Sequence, residues 1–146
     1  MMHYEIRISQ QDFTRLHEHA ENGLPHEVVA LLFGIISEYT IQVNRVEFVK
    51  NESKNSHTAF SINPEIEYQL LIEADELGEA LVGIYHSHPA PPAPSETDLR
   101  NMRLNPVIWL ISSKLTGEWE TQAYILVGDD VHEVSINKLQ SNVSRL

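Results

Sequence analysis

Glu27-Val28-Val29-Ala30-Leu31-Leu32-Phe33-Gly34-Ile35-Ile36 opens with one carboxylate and then runs without a charge. The run is apolar at odd and even positions alike and contains several β-branched residues. It therefore reads as a strand buried on both faces rather than one with a wet side. A strand of that kind needs helices on both sides of its sheet, and the flanking sequence supplies them. Upstream, Tyr4–Ile8 alternates as a short strand. Ser9 and Asp12 have the spacing of a capping box, and Phe13, Leu16 and Ala20 fall on one face of the helix that follows. Asn22-Gly23 ends that helix, and Pro25 prevents its resumption.

Downstream, Thr40–Val49 reads as a second strand, Asn51–His57 as a polar loop, and Thr58–Ile62 as a short strand. Asn63-Pro64 is an N-cap with proline at the first helical position. Ile66, Leu70, Ala74 and Leu77 then recur at helical spacing, and Gly78 supplies the stop. Ala80–Tyr85 is a buried strand. A proline-rich loop (Pro89, Pro91, Pro92, Pro94) leads to a helix from Ser95, and Val107–Ser112, Glu118–Val127 and Val131–Ile136 complete the strands. Helices interleaved with apolar strands predict an α/β fold, a mixed β-sheet sandwiched by helices. The length of 146 residues predicts a single domain spanning 1–146.

Composition narrows the chemistry. There is no cysteine, so any metal or catalytic site must be built from histidines, carboxylates and hydroxyls. A formal net charge of −11 argues against nucleic acid, whose phosphates call for clustered Lys and Arg. Much of the acid lies in one stretch: Glu65, Glu67, Glu73, Asp75, Glu76 and Glu79, with no basic residue between. It reads first as a solvated helix face and second as a docking face for a basic partner. No apolar run approaches the ~20 residues that span a bilayer, and the N-terminus lacks a secretory pattern, so the expectation is no membrane and a cytoplasmic location.

The chemistry concentrates at Gly83-Ile84-Tyr85-His86-Ser87-His88-Pro89. Residues i and i+2 of a strand project to the same face, so both imidazoles can reach one point. His17 and His19 have the same spacing, but on a predicted helix, which turns them roughly 200° apart. Ten residues beyond His88 stands Asp98, in Ser95-Glu96-Thr97-Asp98. Ser-x-x-Asp is a capping box, and many such aspartates do nothing else. Yet an aspartate in a helix's first turn can also be aimed at a strand end. Two neutral histidines and one aspartate leave a metal an open position for water, the form of a catalytic zinc site. Glu27, at the rim of the buried strand, is the candidate base. His26-Glu27 is not the start of His-Glu-x-x-His, because position 30 is Ala. His57 reads as a surface residue that could line a groove, and His3 and His132 carry no further signal.

Leu24-Pro25-His26-Glu27 with Leu31-Leu32-Phe33-Gly34, Phe60-Ser61-Ile62-Asn63-Pro64-Glu65, and Tyr85-His86-Ser87-His88-Pro89 with Ser95-Glu96-Thr97-Asp98 together resemble the JAMM (MPN+) zinc metallopeptidases, in a compact prokaryotic form. The resemblance covers about Tyr4 to Ile136. It implies a cytidine-deaminase-like sheet with helices on both sides. His86, His88 and Asp98 would bind Zn²⁺, Glu27 would be general base and acid, and Ser95 would stabilise the oxyanion. The implied reaction is hydrolysis of an amide or isopeptide bond at the C-terminus of a small ubiquitin-like or sulfur-carrier protein. Two departures stand out. The loop Pro89–Pro94 is about one residue shorter than the family spacing, which bears on where Ser95 and Asp98 land. The frequent Cys-Gly after the glutamate is here Val29-Ala30. The alternative is a non-catalytic binding module of the same family, recognising a ubiquitin-like partner without cutting it. A deaminase of similar architecture fits poorly, since those sites use cysteine ligands.

Overall fold

The computed structural model describes residues 3–55, 60–88 and 91–140. The elements are β1 (Glu5–Ser9), α1 (Gln10–Gly23), β2 (Val29–Ser37), β3 (Thr40–Val49), α2 (Pro64–Glu76), β4 (Ala80–Ser87), α3 (Glu96–Leu104), β5 (Ile108–Ser113), β6 (Glu120–Val127) and β7 (Asp130–Leu139). The predicted short strand Thr58–Ile62 is not formed over residues 60–62, while Thr58 lies outside the described residues, as do His57 and Pro89.

Local signals act as the sequence predicts. Ser9 caps α1, its hydroxyl accepting from the Asp12 amide at 3.0 Å. Asn63 caps α2, its side-chain oxygen accepting from the amides of Glu65 and Ile66. Gly78, at φ 74°, takes the left-handed conformation that ends α2.

β2 is the central strand, antiparallel to both β3 and β4, and its two faces feed two cores. Val28, Ala30 and Leu32 pack with Phe13, Leu16 and Ala20 of α1. Val29, Leu31 and Phe33 pack on the other side with Ala74 of α2 and Met102 of α3. The sheet is thus mixed, with helices on both faces. It is more than a sandwich, however. β1 pairs in parallel with β3 and also with β7, so the strand order β1-β3-β2-β4-β5-β6-β7 closes into a barrel. Closure removes both free edges, and Ile6 and Ile8 of β1 sit fully buried at the seam.

The bend that closure demands is visible in β2. Its pairing shifts register after Phe33, and a Cβ added at Gly34 would lie 1.8 Å from the Gln42 carbonyl oxygen. α2 departs from its predicted amphipathic face. Ala74 is its one fully buried residue, whereas Ile66 is 46% and Leu77 66% exposed. The helix meets the sheet along a narrow stripe, so residues a turn away stay outside. The acidic stretch is mostly solvated as expected, but Arg45 reaches it, 3.5 Å from Glu79 and 3.9 Å from Glu73. Among the described residues no helix is long and apolar enough to cross a membrane.

Candidate functional site

The antiparallel register sets Val29 opposite His86. By alternation Glu27, two residues before Val29, falls on the same face, the side where α3 lies. Ser87 points the other way, and its hydroxyl accepts the Val28 amide at 2.8 Å. The Ser87 amide donates to the Val28 carbonyl at 3.1 Å. Asn51 adds a third anchor, its Nδ2 donating to the Glu27 carbonyl at 2.8 Å. These bonds extend the β2–β4 pairing past the end of β2 and hold Glu27 in place. β4 also pairs in parallel with β5, and beyond the last pair the His88 amide donates to the Ser112 carbonyl at 2.8 Å.

Asp98 arrives from α3. The capping box is complete: Ser95 Oγ accepts the Asp98 amide at 3.1 Å, and Asp98 Oδ2 accepts the Ser95 amide at 2.9 Å. The same carboxylate faces both imidazoles. Asp98 Oδ1 lies 3.3 Å from His86 Nε2, and Oδ2 lies 3.6 Å from His88 Nε2. On the far side of His86, Nδ1 is 3.3 Å from Glu27 Oε1 and 3.0 Å from the Ser87 carbonyl oxygen. One carboxylate thus caps α3 and faces both imidazoles. The short proline loop does not carry the aspartate away from the histidines. Ser95 thus holds Asp98 through both its backbone amide and its hydroxyl.

Burial makes this cluster expensive unless its charges are balanced. Glu27 is 4%, Asp98 5% and His86 0% exposed. Burial opposes a charge on His86, but the Asp98 and Glu27 carboxylates outweigh it and push its pKa up to about 9. Burial likewise raises Asp98, but the hydrogen bond and charge of His86, with the Ser95 bonds, outweigh it and bring its pKa down to about 2. Two buried carboxylates thus demand a cation between them, either a protonated histidine or a metal ion that displaces the proton. Within the cluster, Glu27 Oε2 and His88 Nδ1 are buried with no hydrogen-bond partner among the described residues, while His86 Nε2 has only the Asp98 carboxylate before it. Among the described residues no three His, Asp or Glu side chains already stand as a complete ion-binding group. The donor set nevertheless fits one. Two atoms each ~2.0–2.1 Å from a tetrahedral ion lie roughly 3.3 Å apart, and the histidine–aspartate separations are 3.3 and 3.6 Å.

The family described as "Prokaryotic homologs of the JAB domain" matches residues 9–126. The chain belongs to that family, a compact prokaryotic branch of the JAMM/MPN proteins. It is 41% identical over 101 residues to a desampylase from Pyrococcus furiosus, covering 68% of this chain and 66% of that protein. A Haloferax volcanii desampylase is 30% identical over 123 residues, 81% of this chain and 85% of that one. The 26S proteasome non-ATPase regulatory subunit 14 of Dictyostelium discoideum is 37% identical over 87 residues, 58% of this chain and 28% of that longer one. Among solved structures, protein DSY2949 from Desulfitobacterium hafniense superposes with a TM-score of 0.82 at 27% identity, covering 95% of this chain and 96% of that one.

Sequence reasoning missed Ser87 and Asn51, which hold Glu27. Ser87 was open to inference as a hydroxyl inside an apolar strand, where its polarity needs a partner. Asn51 gives no such signal, since a loop asparagine is ordinary.

Proposed function

We propose that this JAB-domain chain is a zinc-dependent isopeptidase or peptidase. Its substrate would be an amide bond at the C-terminal tail of a small ubiquitin-like or sulfur-carrier protein. One observation carries the reading: His86 and His88 both turn Nε2 to the two oxygens of Asp98, with Glu27 buried on the opposite flank. The similarity to two proteins named desampylase supports the substrate class.

His86, His88 and Asp98 would hold the ion, which when bound supplies electrophilic charge and makes water acidic enough to attack at neutral pH. Glu27 takes the proton from the attacking water and returns it to the leaving nitrogen, the one group of the cluster with a buried, unpartnered oxygen free to do so. The Ser95 hydroxyl donates to the oxyanion that forms on the carbonyl.

The decisive experiment pairs zinc content with turnover of a ubiquitin-like protein joined through its C-terminal glycine to a lysine. Glu27→Gln should keep one equivalent of zinc while hydrolysis falls by about 10²–10⁴-fold. Wild-type protein that binds no zinc, or a Gln variant of undiminished activity, refutes the mechanism. Binding of the conjugate without any product identifies a recognition module instead.

A further inference from the structure

Beside the site lies an open groove of about 280 Å³. Glu27 and His88 form its floor. Leu24 and Pro25, from the connection between α1 and β2, form one wall, and Leu115 and Trp119, from the turn between β5 and β6, form the other. Leu24 is 48% and Leu115 64% exposed, an apolar lining that a substrate would cover. Neither Ser95 nor Asp98 lines this space.

The outer wall is pinned from a distance. Glu21 Oε1 accepts from Lys114 Nζ at 2.5 Å and from Trp119 Nε1 at 3.0 Å. Glu21 stands in the last turn of α1, which has no basic residue and where the helix dipole disfavours a carboxylate. A local cost of that kind, set against two bonds to a distant turn, marks a residue placed for what it holds. An exposed ion pair contributes little by itself. Here, however, one oxygen fixes both the lysine and the indole.

We propose that this groove receives the aliphatic chain attached to the leaving nitrogen, with Glu21 as the positioning residue for its outer wall. The proposal rests on the peptidase reading above. Glu27 assigns the side: it must come within hydrogen-bond reach of the leaving nitrogen, and it lines the groove, whereas Ser95, on the carbonyl side, does not. The leaving group therefore extends over Leu24, Leu115 and Trp119, and the acyl portion runs the other way. Apolar walls, with the Lys114 charge already matched by Glu21, select an uncharged hydrocarbon. A leucine-type side chain and the methylene stem of an isopeptide-linked lysine share that chemistry. The volume suits one side chain rather than a larger ligand.

Three probes test it: acetyl-Gly-Gly joined to leucine amide, to the ε-nitrogen of N-acetyl-lysine amide, and to glycine amide. Binding is read in Glu27→Gln protein by tryptophan fluorescence, since Trp109 is buried in the core and Trp119 lines the groove, and by calorimetry for variants that remove Trp119. At least one aliphatic probe should bind about ten- to a hundredfold more tightly than the glycine probe, and which one leads identifies the source. Trp119→Ala should bring that ratio close to one. Glu21→Ala should weaken the aliphatic probes several-fold and the glycine probe less, and Glu21→Gln, still able to accept from the indole, should recover part of the loss. Equal affinities for the three probes, no measurable binding of either aliphatic probe, or an unchanged ratio in Trp119→Ala would each overturn the groove assignment. Hydrolysis without preference removes the groove alone. Preference without hydrolysis of any probe by wild-type protein removes the peptidase reading and leaves the groove.

Discussion

His17 and His19 carry the same spacing as His86 and His88, and the fold sends them in different directions. His17 bonds Thr121 through Nε2 at 2.6 Å and packs its ring on Phe13. His19 packs instead on Phe48, with ring centroids 4.4 Å apart. The strand pair has its rings 5.5 Å from each other, and both face Asp98. The difference comes from backbone geometry alone: a strand returns to the same face every second residue, and a helix does not. Spacing becomes chemistry only once the secondary structure is known.

The contrast is most easily broken with metal. His86→Ala or His88→Ala should abolish stoichiometric zinc binding and with it hydrolysis, whereas His17→Ala and His19→Ala should retain both. Metal analysis of the four purified variants decides it, and loss of zinc in a helix variant would undo the comparison. In metal-free protein, His86→Ala also strands the buried Asp98 and Glu27 carboxylates without a cation. A loss of about 3–5 kcal/mol in denaturant unfolding is expected.

A smaller effect sharpens the strand side. Ser87→Ala leaves the buried Val28 amide without its side-chain acceptor, at a cost of about 1–3 kcal/mol. Because that bond holds the backbone beside Glu27, turnover should fall more than zinc affinity. Equal losses in both would make Ser87 a support for the whole strand end rather than for the base.

The helix pair should report on pH. Burial lowers the pKa of His17, with Lys138 adding to the effect, and burial lowers His19. A histidine whose folded pKa lies below its unfolded value of 6.5 is held neutral by the fold. Its contribution is therefore complete above that value and is lost as pH falls through the folded pKa. His86, its pKa raised to about 9, adds stability to metal-free protein as pH falls, so the His17 effect is read as a difference. As pH falls from 7 to 5, the Tm of His17→Gln should rise relative to that of wild-type protein, a relative decline in wild type that the variant flattens. A Tm difference constant across that range would assign the acid sensitivity elsewhere.

α1 and α2 repeat the lesson on a larger scale. Both show apolar residues at helical spacing, but α1 buries Phe13, Leu16 and Ala20 between sheet and seam, while α2 fully buries Ala74 alone. Leu77→Lys should change stability by no more than about 0.5 kcal/mol, while Phe13→Ala should cost about 3–5 kcal/mol. Periodicity shows that a helix has an apolar face, and only the packing partner decides how much of that face is covered.

The sequence by itself determined the features that depend on near neighbours. Ser9, Asn63 and Ser95 cap helices because a side chain reaches an amide two or three residues on, and Gly78 ends α2 because it tolerates a positive φ. Alternation put His86 and His88 on one face. Tertiary structure alone decided what joins distant segments. β1 closes the barrel by pairing with strands that begin at residues 40 and 130, the β2–β4 register sets Glu27 beside His86, and Glu21 ties down a turn 93 residues away. Contacts of that range form only when the whole chain collapses around two cores, and local preferences hold no information about which distant groups will then meet.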